Sequence, residues 1–303
     1  MTDQRRGFLS GVAAYLLWGL FPLYWPLLEP AGAVEILSHR VTWSVLTMGV
    51  VVLGTARGPQ LLAILRDQRS RRLLTLAAVV VAVNWGTYIW GVNHHRVVET
   101  SLGYFINPLV TVLLGVVVLG ERLRRLQWLA LGVATVAVLG LAVDYGRPPW
   151  VALALAFSFG TYGLAKKQAG VPAVESLTFE TLVLAPLAAG YLVWLAATGG
   201  SHFVGYGAGH TALLVLTGLV TAVPLLFFGA AAIRVPLTTL GLLQYLAPVI
   251  QFLLGVTLLD EHMSRARWLG FALVWVALVL FTADSWRNHR RQIALASAAS
   301  ATA

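Results

Sequence analysis

Residues 113–121, Leu-Leu-Gly-Val-Val-Val-Leu-Gly-Glu, return as residues 253–261, Leu-Leu-Gly-Val-Thr-Leu-Leu-Asp-Glu, at an offset of 140 positions. Apolar segments resemble one another by chance, so Leu and Val identities alone carry little. The same offset, however, takes Pro108 to Pro248, Trp128 to Trp268, Glu35 to Glu175 and Ala82-Val83 to Ala222-Val223. Pro, Trp, Glu and Gly in one unbroken register mark an internal repeat, and a repeat decides how the rest of a chain is read.

Each copy is too apolar for water. The 303 residues are 58% hydrophobic and 11% charged, less than half the ~25% charge of a typical soluble domain. The mean hydropathy of +0.79 agrees, as do 11 Trp, a residue that favours membrane interfaces. Stretches of roughly 17 to 23 apolar residues, long enough to cross a ~30 Å hydrocarbon core, fall near 7–28, 34–54, 73–92, 100–120, 126–143, 149–165, 175–197, 211–233, 237–259 and 267–284. That is five per copy. An odd number turns the second copy upside down in the membrane, the architecture of secondary transporters with a site near the midplane. The expected fold is therefore an all-α polytopic membrane protein of ten transmembrane helices. Residues 1–145 form the first five-helix repeat, 146–285 the inverted second, and 286–303 a disordered cytoplasmic tail.

The net charge of +9 could suggest nucleic acid, but no basic domain exists to hold it, and the charges fall in short gaps between apolar runs. Counted over alternate loops, one side holds 16 Lys and Arg and the other only Arg96, Arg147, Arg265 and Arg267, with Arg40 inside a span. The basic side faces the cytoplasm, so both termini are expected there. The first span follows Arg5 and Arg6 as a signal peptide would, but runs through Trp18, Phe21, Tyr24 and Trp25 without a small-residue cleavage site, and should stay attached.

A polar side chain inside a span costs free energy unless it faces the bundle interior, so each is a candidate for function. Span 2 carries Glu35, His39 and Arg40, and Glu35 and His39 share a face. Span 7 carries Glu180, the repeat equivalent of Arg40. Inversion sets these two ~13 Å apart in depth, so they are read as separate groups in the two mouths of a central cavity, forming a charged gate or coupling set with Glu35 and His39. Asn84 and Tyr88 in span 3, Tyr104 and Asn107 in span 4, and Gln244 and Gln251 in span 9 line the expected substrate pathway, with Trp18 as a wall midway along span 1. Amides in spans more often join helices than bind ligands; polar faces on three spans together favour a shared cavity. His39, with an unperturbed pKa of ~6.5, and Glu180 are rival carriers of a coupling proton.

Enzymatic motifs are missing. The seven His lack the paired helical spacing of a metal site, there is no cysteine, and no nucleophile elbow or phosphate-binding loop is present. No cofactor, metal or catalytic residue is expected.

Whole polar words inside the spans also carry a family likeness. Glu35-Ile36-Leu37-Ser38-His39-Arg40-Val41-Thr42-Trp43-Ser44, Asn84-Trp85 with Tyr88-Ile89-Trp90-Gly91-Val92-Asn93, Ser101-Leu102-Gly103-Tyr104-Phe105-Ile106-Asn107-Pro108-Leu109, Gly120-Glu121-Arg122-Leu123, Ser158-Phe159-Gly160-Thr161-Tyr162-Gly163-Leu164, and Gln244-Tyr245 with Pro248 resemble the RarD-like proteins of the EamA branch of the drug/metabolite transporter superfamily. The resemblance runs from about Gly7 to Asp284. It implies a ten-helix basket of two inverted repeats in the bacterial inner membrane, moving small organic solutes. Similar sequences commonly have a Lys where this chain has Pro26, which bears on substrate charge or coupling. The expected function is a secondary transporter, an exporter of a small organic metabolite or drug working by alternating access, with the solute, the lipid bilayer and candidate protons as partners and no nucleic acid. The alternative is a solute-gated channel or membrane sensor.

Overall fold

A computed structural model describes residues 3–120, 123–232, 234–235 and 243–301. Every regular element among the described residues is helical. In chain order these are α1 (Asp3–Gly19), α2 (Phe21–Tyr24), a 3₁₀ turn (Trp25–Leu28), α3 (Ala33–Gly54), α4 (Gly58–Arg66), α5 (Gln68–Asn93), α6 (Val97–Leu119), α7 (Arg125–Tyr145), α8 (Trp150–Ala169), α9 (Ala173–Thr198), α10 (Ala208–Ala232), α11 (Leu246–Thr257) and α12 (Arg265–Ala301).

Seven of these helices, α3, α5, α6, α7, α9, α10 and α12, are long and apolar enough to cross a bilayer, and α1 with α2 and the 3₁₀ turn makes an eighth if a bent pair counts as one span. The chain is a multi-pass membrane protein. It falls short of ten expected spans at two places. Helix α8 ends in the polar run Lys166-Lys167-Gln168, which lowers its apolar content. Helix α11 has twelve residues, about 18 Å of rise, and residues 236–242 of the expected span 237–259 lie outside the described residues. Large apolar side chains such as Leu53, Val143 and Leu187 point outward, as they do on helices solvated by lipid.

The first span is broken rather than continuous over 7–28, by 42°. Pro22 is the cause: its ring nitrogen cannot donate to the carbonyl of Trp18 one turn back. That freed oxygen instead accepts from Gln251 Nε2 on α11, 3.1 Å away, which meets the demand that backbone polar groups at membrane depth find partners. At the other end of the chain, residues 286–301 continue α12, in keeping with the high helix propensity of an Ala- and Arg-rich sequence. Helix α4, which the spans did not anticipate, is a nine-residue segment that buries only Ile64; its neighbour α5 begins at an Asp67 cap that accepts from the N–H groups of Arg69 and Ser70. The bond with Ser70 holds the Asp67 carboxyl below the usual carboxylate range.

Packing follows a simple scheme. Helix α3 lies on α9, α7 on α12 and α6 on α11; α5 packs on α8 as α1 packs on α10, and α6 on α8 as α1 on α11. Small residues allow the closest crossings. A Cβ on Gly218 of α10 would lie 2.5 Å from the carbonyl oxygen of Trp43 on α3, and one on Gly103 of α6 would lie 2.8 Å from that of Ala152 on α8. Ion pairs stitch both ends of the bundle. Asp144 accepts from Ser264 Oγ at 2.7 Å and from Arg267 Nε at 2.8 Å, while Asp284 accepts from Arg124 Nε at 2.6 Å at the opposite end. Glu261 caps α6 by accepting from the N–H groups of Val97 and Val98; burial pushes its carboxyl up despite those bonds.

Candidate functional site

The close crossing at Gly218 sets the site. It brings α10 onto α3 at Trp43, and one turn further along each helix Thr221 meets Arg40. Arg40 is only 3% exposed, and its Nε donates to Thr221 Oγ1 at 2.8 Å. Thr221 Oγ1 donates to the carbonyl of Thr217 at 2.9 Å, which leaves its lone pairs free to accept. The guanidinium lies 3.9 Å from the ring centre of Trp85, 5.2 Å from Trp25 and 5.8 Å from Phe21. Such stacking offsets part of the desolvation of the charge. No carboxylate pairs with Arg40 among the described residues, and the hydrogen bond described for its guanidinium is the one from Nε to Thr221.

Beside it, α5 presents Asn84 and Tyr88 on one face. Asn84 Nδ2 donates to the carbonyl of Leu155 at 3.1 Å and to Ser158 Oγ at 3.0 Å on α8, and Tyr104 OH on α6 donates to Asn84 Oδ1 at 3.2 Å. The Tyr88 ring lies 5.6 Å from that of Tyr104, and both phenols stand within electrostatic range of Arg40. The Tyr88 hydroxyl and the Trp25 indole N–H are buried without a hydrogen-bond partner. Buried polar groups are rarely left so, and here two such groups accompany a cation with no carboxylate partner.

The remaining candidates occupy other places. Glu35, at the start of α3, accepts from both the backbone N–H and Nδ1 of His202, each at 2.7 Å. His39 shares a helix face with Glu35 but turns elsewhere: Trp43 Nε1 donates to its Nδ1 at 3.3 Å, and Phe203 stacks on it at 4.8 Å. The segment 201–206 therefore sits over the Glu35 end of α3. At the opposite end, Glu180 accepts from Lys166 Nζ at 3.0 Å, Ser176 Oγ at 2.9 Å and Tyr162 OH at 3.1 Å, and Arg57 pairs with Glu175 at 2.9 Å. Trp18 packs against Tyr15 and Phe228, its carbonyl taken by Gln251. Asn107, on α6, keeps an unpartnered buried oxygen, and Gln244 is half-buried in the turn before α11. The structure thus gathers Arg40, Asn84, Tyr88 and Tyr104 and pairs Trp18 with Gln251. A surface groove of about 480 Å³ lined by Pro59, Leu62, Ala63, Arg66 and Asp67 lies along α4, away from these groups.

Sequence reasoning missed Trp25, Thr221, Ser158, His202 and Lys166. Of these only Lys166 carried a usable signal, because α8 and α9 are joined by a short turn and a Lys at the end of one can reach a Glu two turns into the next.

The profile of the EamA-like transporter family matches twice, over residues 5–143 and 148–283. Protein RarD of Streptomyces exfoliatus is 58% identical over 99% of this chain and 96% of its own length. Protein RarD of Escherichia coli strain K12 is 42% identical over 95% and 98%, and the uncharacterized transporter YojE of Bacillus subtilis 43% over 93% and 95%. A solved crystal structure of a protein 22% identical superposes with a TM-score of 0.58 over 93% of this chain and 98% of that one, a likeness of fold alone.

Proposed function

Because this chain belongs to the EamA-like transporter family, we propose that it is a secondary transporter of the bacterial inner membrane, exporting a small organic solute by alternating access of two inverted five-helix repeats. The observation that carries the mechanism is reciprocity under the 140-residue offset. That offset takes 144 to 284 and 124 to 264. The contact of Asp144 with Ser264 and that of Asp284 with Arg124 thus join exchanged positions, which supports a two-fold axis in the membrane plane. It likewise turns the packing of α5 on α8 into that of α1 on α10. The double match of the family profile is consistent with the same division.

In this reading the two ends of α3 and α9 are the gates. Glu35 with His202 holds one, and Glu180 with Lys166 and Glu175 with Arg57 hold the other. Opening either end breaks its pair, and solute charge or a proton can supply the bias. A proton taken by Glu180 cancels its attraction for Lys166; one taken by His39 changes its bonding to Trp43.

Reconstituted protein should give saturable counterflow with a panel of labelled metabolites, and linear, non-saturating flux with no counterflow would instead favour a solute-gated channel. Reporter fusions after Asp67 should read cytoplasmic, and those after His95 or His202 periplasmic; a periplasmic signal at Asp67 overturns the orientation. If His39 carries a coupling proton, His39→Gln abolishes accumulation driven by a pH gradient, spares counterflow and leaves Glu180→Gln close to normal. The reverse pattern assigns the proton to Glu180, and a parent protein indifferent to a pH gradient is a facilitated carrier.

A further inference from the structure

Arg40 is a buried cation without a buried anion. Natural interiors do not keep such a charge unless something neutralises it in the working cycle, because an unpaired ion in a low-dielectric setting is costly. Its guanidinium and two neighbours share one chemical sense. The Trp25 indole N–H and the Tyr88 hydroxyl can donate and have no partner among the described residues, and the one hydrogen bond described for the Arg40 guanidinium is that of Nε with Thr221, which leaves the Nη edge to a ligand. The carboxylates of the two candidate gates are already engaged, Glu35 by His202 and Glu180 by Lys166. Trp85 covers one face of the guanidinium at 3.9 Å, so a ligand must approach the edge of the fork, where paired N–H groups fit the two oxygens of a carboxylate. The side chains around it are aromatic: Phe21, Trp25 and Trp85 against the guanidinium, with Tyr88 packed on Tyr104.

From this geometry we infer that the Arg40 cluster is the solute site and that its ligand is a monoanionic organic acid, with the carboxylate on the Arg40 fork and an apolar body among the rings. This rests on the transporter reading above and adds the substrate class to it. One negative charge completes the site, whereas a cation would meet Arg40 head on, and a neutral alcohol would leave most of the donors as they are. Tyr88 and Trp25 then set affinity by donating to the same head group.

The test uses three probes of nearly one shape, phenylacetate, 2-phenylethanol and phenethylamine, titrated by calorimetry into the whole protein in nanodiscs, with empty nanodiscs as reference. Phenylacetate should bind saturably and the other two at least ~10-fold more weakly, the discrimination expected from one charge-assisted pair. Arg40→Gln should abolish the saturable heat, and Arg40→Lys, which keeps the charge and loses the fork, should retain part of it. Tyr88→Phe separates ligand binding from folding. Removing an unpartnered buried hydroxyl should leave the melting temperature unchanged or raise it, yet weaken phenylacetate by roughly 5-fold to 10-fold. Equal binding of phenethylamine, phenylacetate heat unaltered in a folded Arg40→Gln or Arg40→Lys, or no saturable heat with phenylacetate, indole-3-acetate or octanoate each overturns the anion site. Counterflow of labelled phenethylamine without carboxylate binding overturns it too while transport stands. Arg40-dependent phenylacetate binding without counterflow of the labelled acid would uphold the site and sink the transporter reading.

Discussion

Glu180→Ala is expected to lower the unfolding free energy by about 3 kcal/mol, read from thermal or denaturant unfolding of the purified protein. Removing one partner of a buried ion pair costs ~3–5 kcal/mol because the other charge is left without its counterion. The lower end applies here, since the Lys166 side chain is 22% exposed and regains some water while Glu180 is 1% exposed. The loss also orphans the hydroxyls of Tyr162 and Ser176, which donate to the same carboxylate. Two companions fix the interpretation. Glu180→Gln keeps an acceptor oxygen and should cost about half as much. Lys166→Met added to Glu180→Ala should recover part of the stability, a coupling between neighbours that independent sites do not show. A loss under ~1 kcal/mol in Glu180→Ala would mean that the pair is solvated and worth no more than a surface bridge.

Gly218→Val is expected to be as severe, and for a different reason. The added Cβ would meet not a flexible side chain but the carbonyl of Trp43, at 2.5 Å from its oxygen and 2.6 Å from its carbon. Backbone in a helix cannot step aside, so α3 and α10 must separate. Overpacking of this kind costs ~1–3 kcal/mol and occasionally more, and a backbone clash belongs at the top of that range. Separation also draws Thr221 away from Arg40, whose Nε bond is 2.8 Å long. Gly218→Val should therefore lose both folded yield in size-exclusion chromatography and solute binding. Gly163→Val, at a glycine of α8 with nothing within 4 Å of its would-be Cβ, should lose neither. Wild-type yield and stability in Gly218→Val would show that the two helices do not approach as closely as described.

Hydropathy made most of the helices legible because a bilayer imposes one demand on every span, a run of apolar residues of fixed length. Where that demand is relaxed, the sequence says less. Nine-residue α4 crosses nothing and so leaves no such run. Pro22 stood in plain view inside the stretch 7–28, yet a length criterion treats a broken span and a straight one alike. The polar groups divide in the same way. Asn84 and Tyr88 could be placed together because four residues along a helix is a local spacing. Glu35 and His39 have the same spacing, but the hydrogen-bond partner of Glu35 is His202, 167 residues away, which no local spacing announces. The surroundings of Arg40 depend on where α10 crosses α3, a crossing fixed by one glycine whose importance no periodicity announces.

The break at Pro22 has a consequence for how sequences of this kind can change. Its loss of a backbone bond is made good by a side chain 233 residues beyond Trp18, so the two positions are inherited as one decision. Gln251→Leu alone strands a carbonyl in the membrane interior, whereas Pro22→Ala first would restore the helical bond and release Gln251 to vary. The order of substitution matters, and lineages keeping proline at the first position should hold a hydrogen-bond donor at the second.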